Sequence, residues 1–225
     1  MLIGVSGTHG TGKSLFLYEL RKHLKKPTKL ITELYREIIA RTPVSRFTDG
    51  ALQDLATFEM YVRHEMILEA LKEEKIVLVD RHPVDALVYA KFFGANVTKV
   101  ESILKEQLPL WEDAIIVGFL FGFEYTIPPR LLKPLRDDPV RRETLRLTNY
   151  STLDNAVIEF ERLYLQTVQE LQIPMKIFKL SDYITQPITE TYTARNTTAI
   201  EYILAETGSR AQKIQEVESN VRRSA

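Results

Sequence analysis

The feature that most constrains this chain is a glycine-rich segment close to its start. Residues 7–14 read Gly-Thr-His-Gly-Thr-Gly-Lys-Ser and match the pattern G-x-x-x-x-G-K-[ST] in full. An apolar run, Leu2 to Val5, precedes the segment and a helical apolar pattern follows it, which is the context that this pattern requires. Backbone N–H groups of such a loop surround phosphate oxygens at a helix N-terminus. We therefore predict a nucleotide phosphate site formed by Gly7, Thr8, His9, Gly10, Thr11, Gly12, Lys13 and Ser14.

Within this loop, two side chains have separate predicted roles. Lys13 would contact the β- and γ-phosphates, and the Ser14 hydroxyl would bind Mg²⁺. The sequence contains no Asn-Lys-x-Asp, which is the usual guanine-recognition motif of GTPases, so ATP is the expected nucleotide.

Short apolar runs alternate with helical patterns along the chain, which is typical of a parallel sheet with crossover helices. We predict the α/β class and a P-loop NTPase three-layer sandwich, with a five-stranded, mainly parallel sheet, helices on both faces and an arginine-rich lid. The expected strands are Leu2 to Ser6, Lys29 to Thr32, Ile76 to Asp80, Ala114 to Phe119 and Met175 to Leu180.

Length and composition fit one main domain. The chain has 225 residues, of which 44% are hydrophobic. We expect a P-loop domain over residues 1–183, with a lid at about 128–146, and a C-terminal helical extension over residues 184–225. In that extension a helix is expected to stop at Gly208, and a last amphipathic stretch could support a homo-oligomer. Thr98 and Glu101 form a capping-box pattern at the start of another predicted helix.

Charge and residue usage exclude several classes of protein. The 30 Lys and Arg residues balance the 30 Asp and Glu residues, which argues against a nucleic-acid partner without a local basic channel. The absence of cysteine excludes disulfides and thiolate zinc sites. No apolar run reaches the length of about 20 residues that a membrane helix needs. Since no export signal is recognisable either, we expect a cytoplasmic protein with no membrane partner.

Asp80 is the predicted second ligand of the metal. It ends a buried apolar strand, at the edge where open α/β sheets bind ligands. The alternative is an aspartate that caps the helix beginning near Pro83. Arg81 stands where ATPases that activate water usually have a glutamate, so it favours phosphoryl transfer to a substrate over hydrolysis.

Glu33 follows the second predicted strand. If the first and third strands are neighbours, a carboxylate in this place can face the acceptor and orient or deprotonate its hydroxyl. The alternative is a solvated start of a helix over Leu34 to Arg41, stabilised by the helix dipole. The sequence leaves both interpretations open.

Residues 128–146 depart from the regular pattern, because they contain four prolines and five arginines. We interpret the segment as a lid and not as a core element, with Arg136 and Arg142 as the first candidates for contact with phosphate. A solvated loop held by salt bridges is the alternative. The four histidines, His9, His23, His64 and His82, have no metal-like spacing, and we treat them as structural or surface residues, although His9 lies in the loop.

These segments together resemble P-loop kinases of small nucleoside-type acceptors over roughly residues 1–183. Residues 33–37, Glu-Leu-Tyr-Arg-Glu, and the Arg136-to-Arg142 segment are similar to the nicotinamide riboside kinase domain of NadR-like proteins. The pair Asp80-Arg81 instead resembles the acid–arginine pair of deoxynucleoside and thymidylate kinases, in which the arginine holds phosphate. Leu34 departs from the proline that deoxynucleoside kinases usually have after the corresponding glutamate.

The resemblance implies a Mg²⁺-dependent kinase that transfers the γ-phosphoryl group of ATP to a nucleoside or nucleotide. Its catalytic set would be Lys13, Glu33, Asp80, Arg81, Arg136 and Arg142, with Ser14 and Asp80 as metal ligands. Two other functions stay open at this point. One is a polynucleotide 5′-end kinase, and the other is an ATP-binding switch that signals through the C-terminal helix without useful turnover.

Overall fold

The computed structural model describes residues 1–33, 49–73, 75–138, 150–185 and 187–224. Within these ranges the chain forms a five-stranded sheet in which every strand pair is parallel. The order is β2-β3-β1-β4-β5, so the first and third strands are neighbours, as the interpretation of Glu33 requires. The predicted α/β class and all five strands are confirmed. The strands are β1 (Leu2–Gly7), β2 (Thr28–Ile31), β3 (Ile76–Asp80), β4 (Ile115–Leu120) and β5 (Met175–Lys179).

Helices cover both faces of the sheet. One face packs against α2, α3, α4 and α6, and the other against α1 and the first half of α7. The central strands β1, β3 and β4 are buried along their whole length, which explains why their sequences are continuous apolar runs. The helices are α1 (Lys13–His23), α2 (Asp49–Leu71), α3 (Val84–Phe92), α4 (Val97–Gln107), α5 (Lys133–Asp137), α6 (Leu153–Glu170) and α7 (Ile188–Ser224). Two short 3₁₀ helices cover Leu108–Trp111 and Leu180–Tyr183.

The C-terminal helix α7 differs from its prediction. It does not stop at Gly208 but runs from Ile188 to Ser224. A glycine inside a helix costs about 1 kcal/mol relative to alanine, which is too little to end a helix this long. Ala199 and Ile203 are buried in the core below α1. The division of the chain into residues 1–183 and 184–225 stays a prediction.

The capping box at Thr98 is also wrong. Asn96 is the N-cap of α4, and its side-chain oxygen accepts a hydrogen bond from the Thr98 backbone N–H at 3.0 Å. Asparagine is as good an N-cap as serine, and its position before Val97 starts the helix earlier.

The segment interpreted as a lid is described only up to Asp138. In this part Leu131, Leu132 and Leu135 are buried in a cluster with Phe121 at the end of β4, so the expectation that the segment is not a core element is wrong here. The remainder of the segment, with Arg141, Arg142 and Arg146, lies outside the described residues. Across the described ranges, no helix is both long and apolar enough to cross a membrane.

Candidate active site

The glycine-rich loop connects the end of β1 to the start of α1, as predicted. Gly7 has a φ of 109°, and a Cβ placed on it would lie 2.2 Å from the Phe119 carbonyl oxygen of β4. Gly12, the last residue before α1, has a φ of 80°. Positive φ and close backbone approach are both accessible to glycine and costly for other residues, so the glycines of the pattern set the shape of the loop.

Lys13 lies buried inside this loop. Its Nζ donates hydrogen bonds to the Gly7 carbonyl oxygen at 3.0 Å and to the Thr8 carbonyl oxygen at 2.6 Å. Burial, and to a smaller extent the charge of Arg81, lowers the pKa of Lys13 to about 7, although nearby carboxylates oppose the shift. The surroundings therefore disfavour the charged form of Lys13. A bound phosphate would supply negative charge and stabilise the ammonium group.

Ser14 and Asp80 meet at the mouth of the loop. The Ser14 hydroxyl donates to Asp80 Oδ2 at 2.5 Å. Helix α3 has Pro83 as its N-cap and no side-chain capping bond, so the alternative of Asp80 as a cap has no support. A hydroxyl and a carboxylate beside a phosphate loop are oxygen ligands that suit Mg²⁺, which takes few protein ligands and completes its shell with phosphates and water. The described residues contain no group of three or more His, Asp or Glu side chains that could hold a metal alone.

Arg81 joins the loop to Glu33 at the end of β2. Its Nη1 donates to the Gly7 carbonyl oxygen at 2.7 Å, and its Nε lies 3.2 Å from Glu33 Oε1. Its Nη2 lies 2.7 Å from His9 Nδ1. Since a guanidinium only donates, His9 Nδ1 must be the acceptor and carries no proton. Arg81 also has a φ of 96°, a strained conformation for a residue other than glycine, and such strain is concentrated at functional sites.

Glu33 faces this guanidinium and is largely buried. Burial alone would raise its pKa, but the charges of Arg81, Lys13 and Arg63 outweigh it and lower the pKa below its usual value. Glu33 is thus held as a carboxylate beside the phosphate loop. Residues 34–41, which would form the solvated helix of the alternative interpretation, lie outside the described residues.

Sequence analysis missed Asp85, in the first turn of α3. Its Oδ1 accepts hydrogen bonds from the Ser6 hydroxyl at 2.7 Å and the Gly7 N–H at 3.2 Å, and its Oδ2 lies 3.6 Å from Arg81 Nη1. Burial raises its pKa, against the opposing effect of Arg81. The available signal was its position in the first turn of the helix that follows Asp80 and Arg81, at the edge of the sheet where ligands bind.

Glu161 in α6 was also missed. Its buried carboxylate accepts from the Thr8 hydroxyl at 2.6 Å, the Phe121 N–H at 2.6 Å and the Gly122 N–H at 2.9 Å. Burial raises its pKa, although these three donors oppose the change. Glu161 thereby fixes the phosphate loop to the chain that leaves β4.

Other basic residues near the loop occupy different surroundings. Arg63 of α2 is buried and donates to the Asp80 carbonyl oxygen at 3.0 Å. Arg136 is exposed on α5, next to Leu135, whose Cγ would lie 2.9 Å from a Cβ placed on Gly10. Arg136 is therefore close to the loop, whereas Arg142 lies outside the described residues. His82 is buried against Trp111, and burial lowers its pKa to about 3, which agrees with a structural role.

The fold and the loop define a P-loop nucleotide-binding protein of the α/β class. The chain belongs to the family described as an AAA domain (AAA_28), which matches residues 2–170. Among solved structures it is similar to thymidylate kinase from Candida albicans, with 16% identity, 92% of each chain covered and a TM-score of 0.52. These matches support the predicted resemblance to P-loop nucleotide kinases, while the resemblance to NadR-like domains stays a prediction. No match was found among curated proteins.

Proposed function

We propose that this protein is a Mg²⁺-dependent kinase that transfers the γ-phosphoryl group of ATP to a small nucleoside or nucleotide. The observation that carries the proposal is the position of Arg81, which contacts the phosphate loop at Gly7 and Glu33 at the end of β2. One cation thus joins the predicted donor site to a carboxylate that can face an acceptor. This arrangement suits transfer between two bound substrates better than hydrolysis by water.

The donor side consists of the loop and its two neighbours. The loop amides would surround the β- and γ-phosphates, and Lys13 would exchange its bonds to the Gly7 and Thr8 carbonyl oxygens for bonds to phosphate. Ser14 and Asp80 would hold Mg²⁺, which neutralises charge on the phosphates when bound.

On the acceptor side, Glu33 would orient the acceptor and, where the attacking group is a hydroxyl, accept its proton. The acceptor oxygen forms a bond to the γ-phosphorus, the bond from that phosphorus to the β–γ bridging oxygen breaks, and ADP leaves. Arg81 would hold Glu33 in place and add positive charge beside the transferring group. Arg136, and Arg142 in the segment outside the described residues, would cover the phosphates from the lid.

The similarity to thymidylate kinase supports a nucleotide-type acceptor without selecting one. The direct test is an acceptor screen of the full chain with Mg²⁺ and ATP, with ADP formation as the readout. The panel holds nucleosides, nucleoside monophosphates, nicotinamide riboside and a single-stranded oligonucleotide with a 5′-hydroxyl. We expect ADP formation that depends on one of the small acceptors.

Two variants test whether the measured turnover depends on the proposed site residues. Lys13→Ala should lose about 10²-fold or more in rate, because a preorganised charge on the transferring phosphate is lost. Glu33→Gln should lower kcat with little change in KM for ATP, because the carboxylate acts on the acceptor. Turnover of the oligonucleotide alone would favour the polynucleotide kinase instead. ATP binding without turnover of any acceptor would favour the switch.

A further inference from the structure

We infer that Arg195, in the C-terminal helix α7, is a positioning residue of the phosphate loop and strengthens polyphosphate binding through its buried charge. This inference rests on the proposed nucleotide binding by the loop, but not on phosphoryl transfer. Helix α7 lies beyond residues 2–170, to which the family match extends. Neither the glycine-rich pattern nor that match assigns Arg195 a role.

The first observation is where the guanidinium lies. Arg195 is fully buried, and its Nη1 donates to the Thr11 carbonyl oxygen in the middle of the loop at 2.5 Å. The guanidinium carbon also lies 4.0 Å from the ring centroid of Phe119 in β4. The carbonyl oxygen of Phe119 in turn accepts the Thr8 N–H at 3.0 Å. One side chain therefore supports the loop both directly and through the strand below it.

A second residue of the same helix contacts the loop beside Thr11. The Tyr192 hydroxyl donates to the Gly10 carbonyl oxygen at 3.3 Å. The Tyr192 ring lies 3.4 Å from the place where a Cβ on Gly12 would be. Helix α7 thus contacts Gly10, Thr11 and Gly12 in succession. By holding two of these carbonyl oxygens, the helix favours the loop conformation in which the N–H groups of the loop stay available for an anion.

The third observation is the charge balance around Arg195. Its Nε and Nη2 donate to Asn196 Oδ1, at 3.2 Å and 2.6 Å, and Asn196 in turn donates to Glu19. Among the ion pairs of the described residues, none involves Arg195, so Glu19 is reached only through a neutral amide. Burial lowers the pKa of Arg195 to about 10, so it is still a cation at neutral pH.

A buried cation without a carboxylate in contact is costly, and the cost falls when an anion binds nearby. The phosphate loop contacts this cation through the Thr11 carbonyl oxygen. The anion expected to bind next to it is therefore the polyphosphate of a nucleotide. The charge acts through the polarised Thr11 peptide group and through space in a site of low dielectric. Arg195 does not touch the nucleotide in this arrangement.

The test compares variants of the full chain by calorimetric titration with ADP and with inorganic pyrophosphate. Arg195→Met keeps the length and apolar contacts but removes the charge, and we expect at least about a tenfold loss of affinity for both ligands. Arg195→Lys keeps the charge without the forked geometry and should fall between Arg195→Met and the wild type. Arg210→Met is the matched control, because Arg210 lies on the same helix and donates to backbone oxygens of Asp113 and Ala114. The control should leave both affinities unchanged.

Thermal unfolding of the ligand-free variants separates positioning from a purely structural role. If Arg195→Met melts at a lower temperature but binds ADP and pyrophosphate as the wild type does, the inference is overturned. If Arg195→Met does not fold, Arg195→Gln takes its place, because it also removes the charge while keeping a hydrogen-bond donor, and wild-type affinity in that variant has the same consequence. A wild type that binds ADP yet phosphorylates no acceptor contradicts the proposed kinase and leaves this inference standing.

Discussion

Replacing Lys13 by methionine tests the electrostatics of the phosphate loop. Burial lowers the pKa of Lys13 from its ordinary 10.5 to about 7, a difference that corresponds to about 5 kcal/mol. The unfolded chain keeps its proton up to the ordinary value, whereas the folded chain gives it up near neutrality. Below about pH 7 the folded protein therefore carries the whole cost of the buried ammonium group. Between about pH 7 and 10 this cost falls by about 1.4 kcal/mol per pH unit.

Methionine has a similar length and no charge, so Lys13→Met removes this cost together with two hydrogen bonds. Each of those bonds is worth about 1 kcal/mol. At about pH 6 we expect the variant to exceed the wild type in free energy of unfolding by about 3 kcal/mol. At about pH 9 the two proteins should be nearly equal. The change with pH, about 3 kcal/mol, does not depend on the value assumed for the hydrogen bonds.

The assay is urea unfolding of both proteins at the two pH values, without nucleotide. Lys22→Met is the control, because Lys22 is an exposed lysine of the same helix α1. Its difference from the wild type should change little with pH. A Lys13→Met difference that is the same at both pH values would show that the loop does not disfavour the ammonium group, and the electrostatic argument would be refuted.

Three further predictions concern Asp80 as a metal ligand, the buried contacts of Glu161 and the lid. Asp80→Asn should lower the affinity for ADP about tenfold with Mg²⁺ and much less with EDTA, because we propose that this carboxylate binds the metal, and equal losses would exclude that role. Glu161→Ala leaves three donors unpaired and should cost about 3 kcal/mol or more in unfolding by urea, whereas Glu159→Ala, which removes a surface ion pair with Arg162, should cost less than about 1 kcal/mol. Trypsin should cut the lid first in the free protein, and ATP with the true acceptor should protect it. Equal cleavage under both conditions, with full activity of Arg142→Ala, would contradict the lid.

The sheet and the loop could be predicted because their signals are local. A buried parallel strand is a continuous apolar run, so β3 was predicted with the bounds that the structure has, Ile76 to Asp80. The loop was predictable because a phosphate nest needs glycine at defined places. The position of Asp80 beside the loop could also be predicted, because ligands of open α/β sheets bind where the parallel strands end.

Residues held by contacts between distant parts of the chain could not be predicted in this way. Glu161 contacts Thr8 across 153 positions, and Arg195 contacts Thr11 across 184. In the sequence both look like polar residues of amphipathic helices, because nothing local marks a charged side chain that turns inward. The boundaries of helices failed for a related reason. Several capping residues and the effect of Gly208 compete within about 1 kcal/mol, and tertiary packing decides among them.

Arg81 shows why local rules fail at this site in particular. Its φ of 96° would suit glycine, and an arginine there costs about 1–3 kcal/mol. The chain nevertheless has arginine, because only a long forked cation can reach the Gly7 carbonyl oxygen, His9 and Glu33 from the end of β3. These contacts offset the strain and hold the backbone in its unusual conformation. Glycine would relieve the backbone strain but would lose the contacts with Gly7 and Glu33, so the strain is a consequence of placing one charge between the phosphate loop and Glu33.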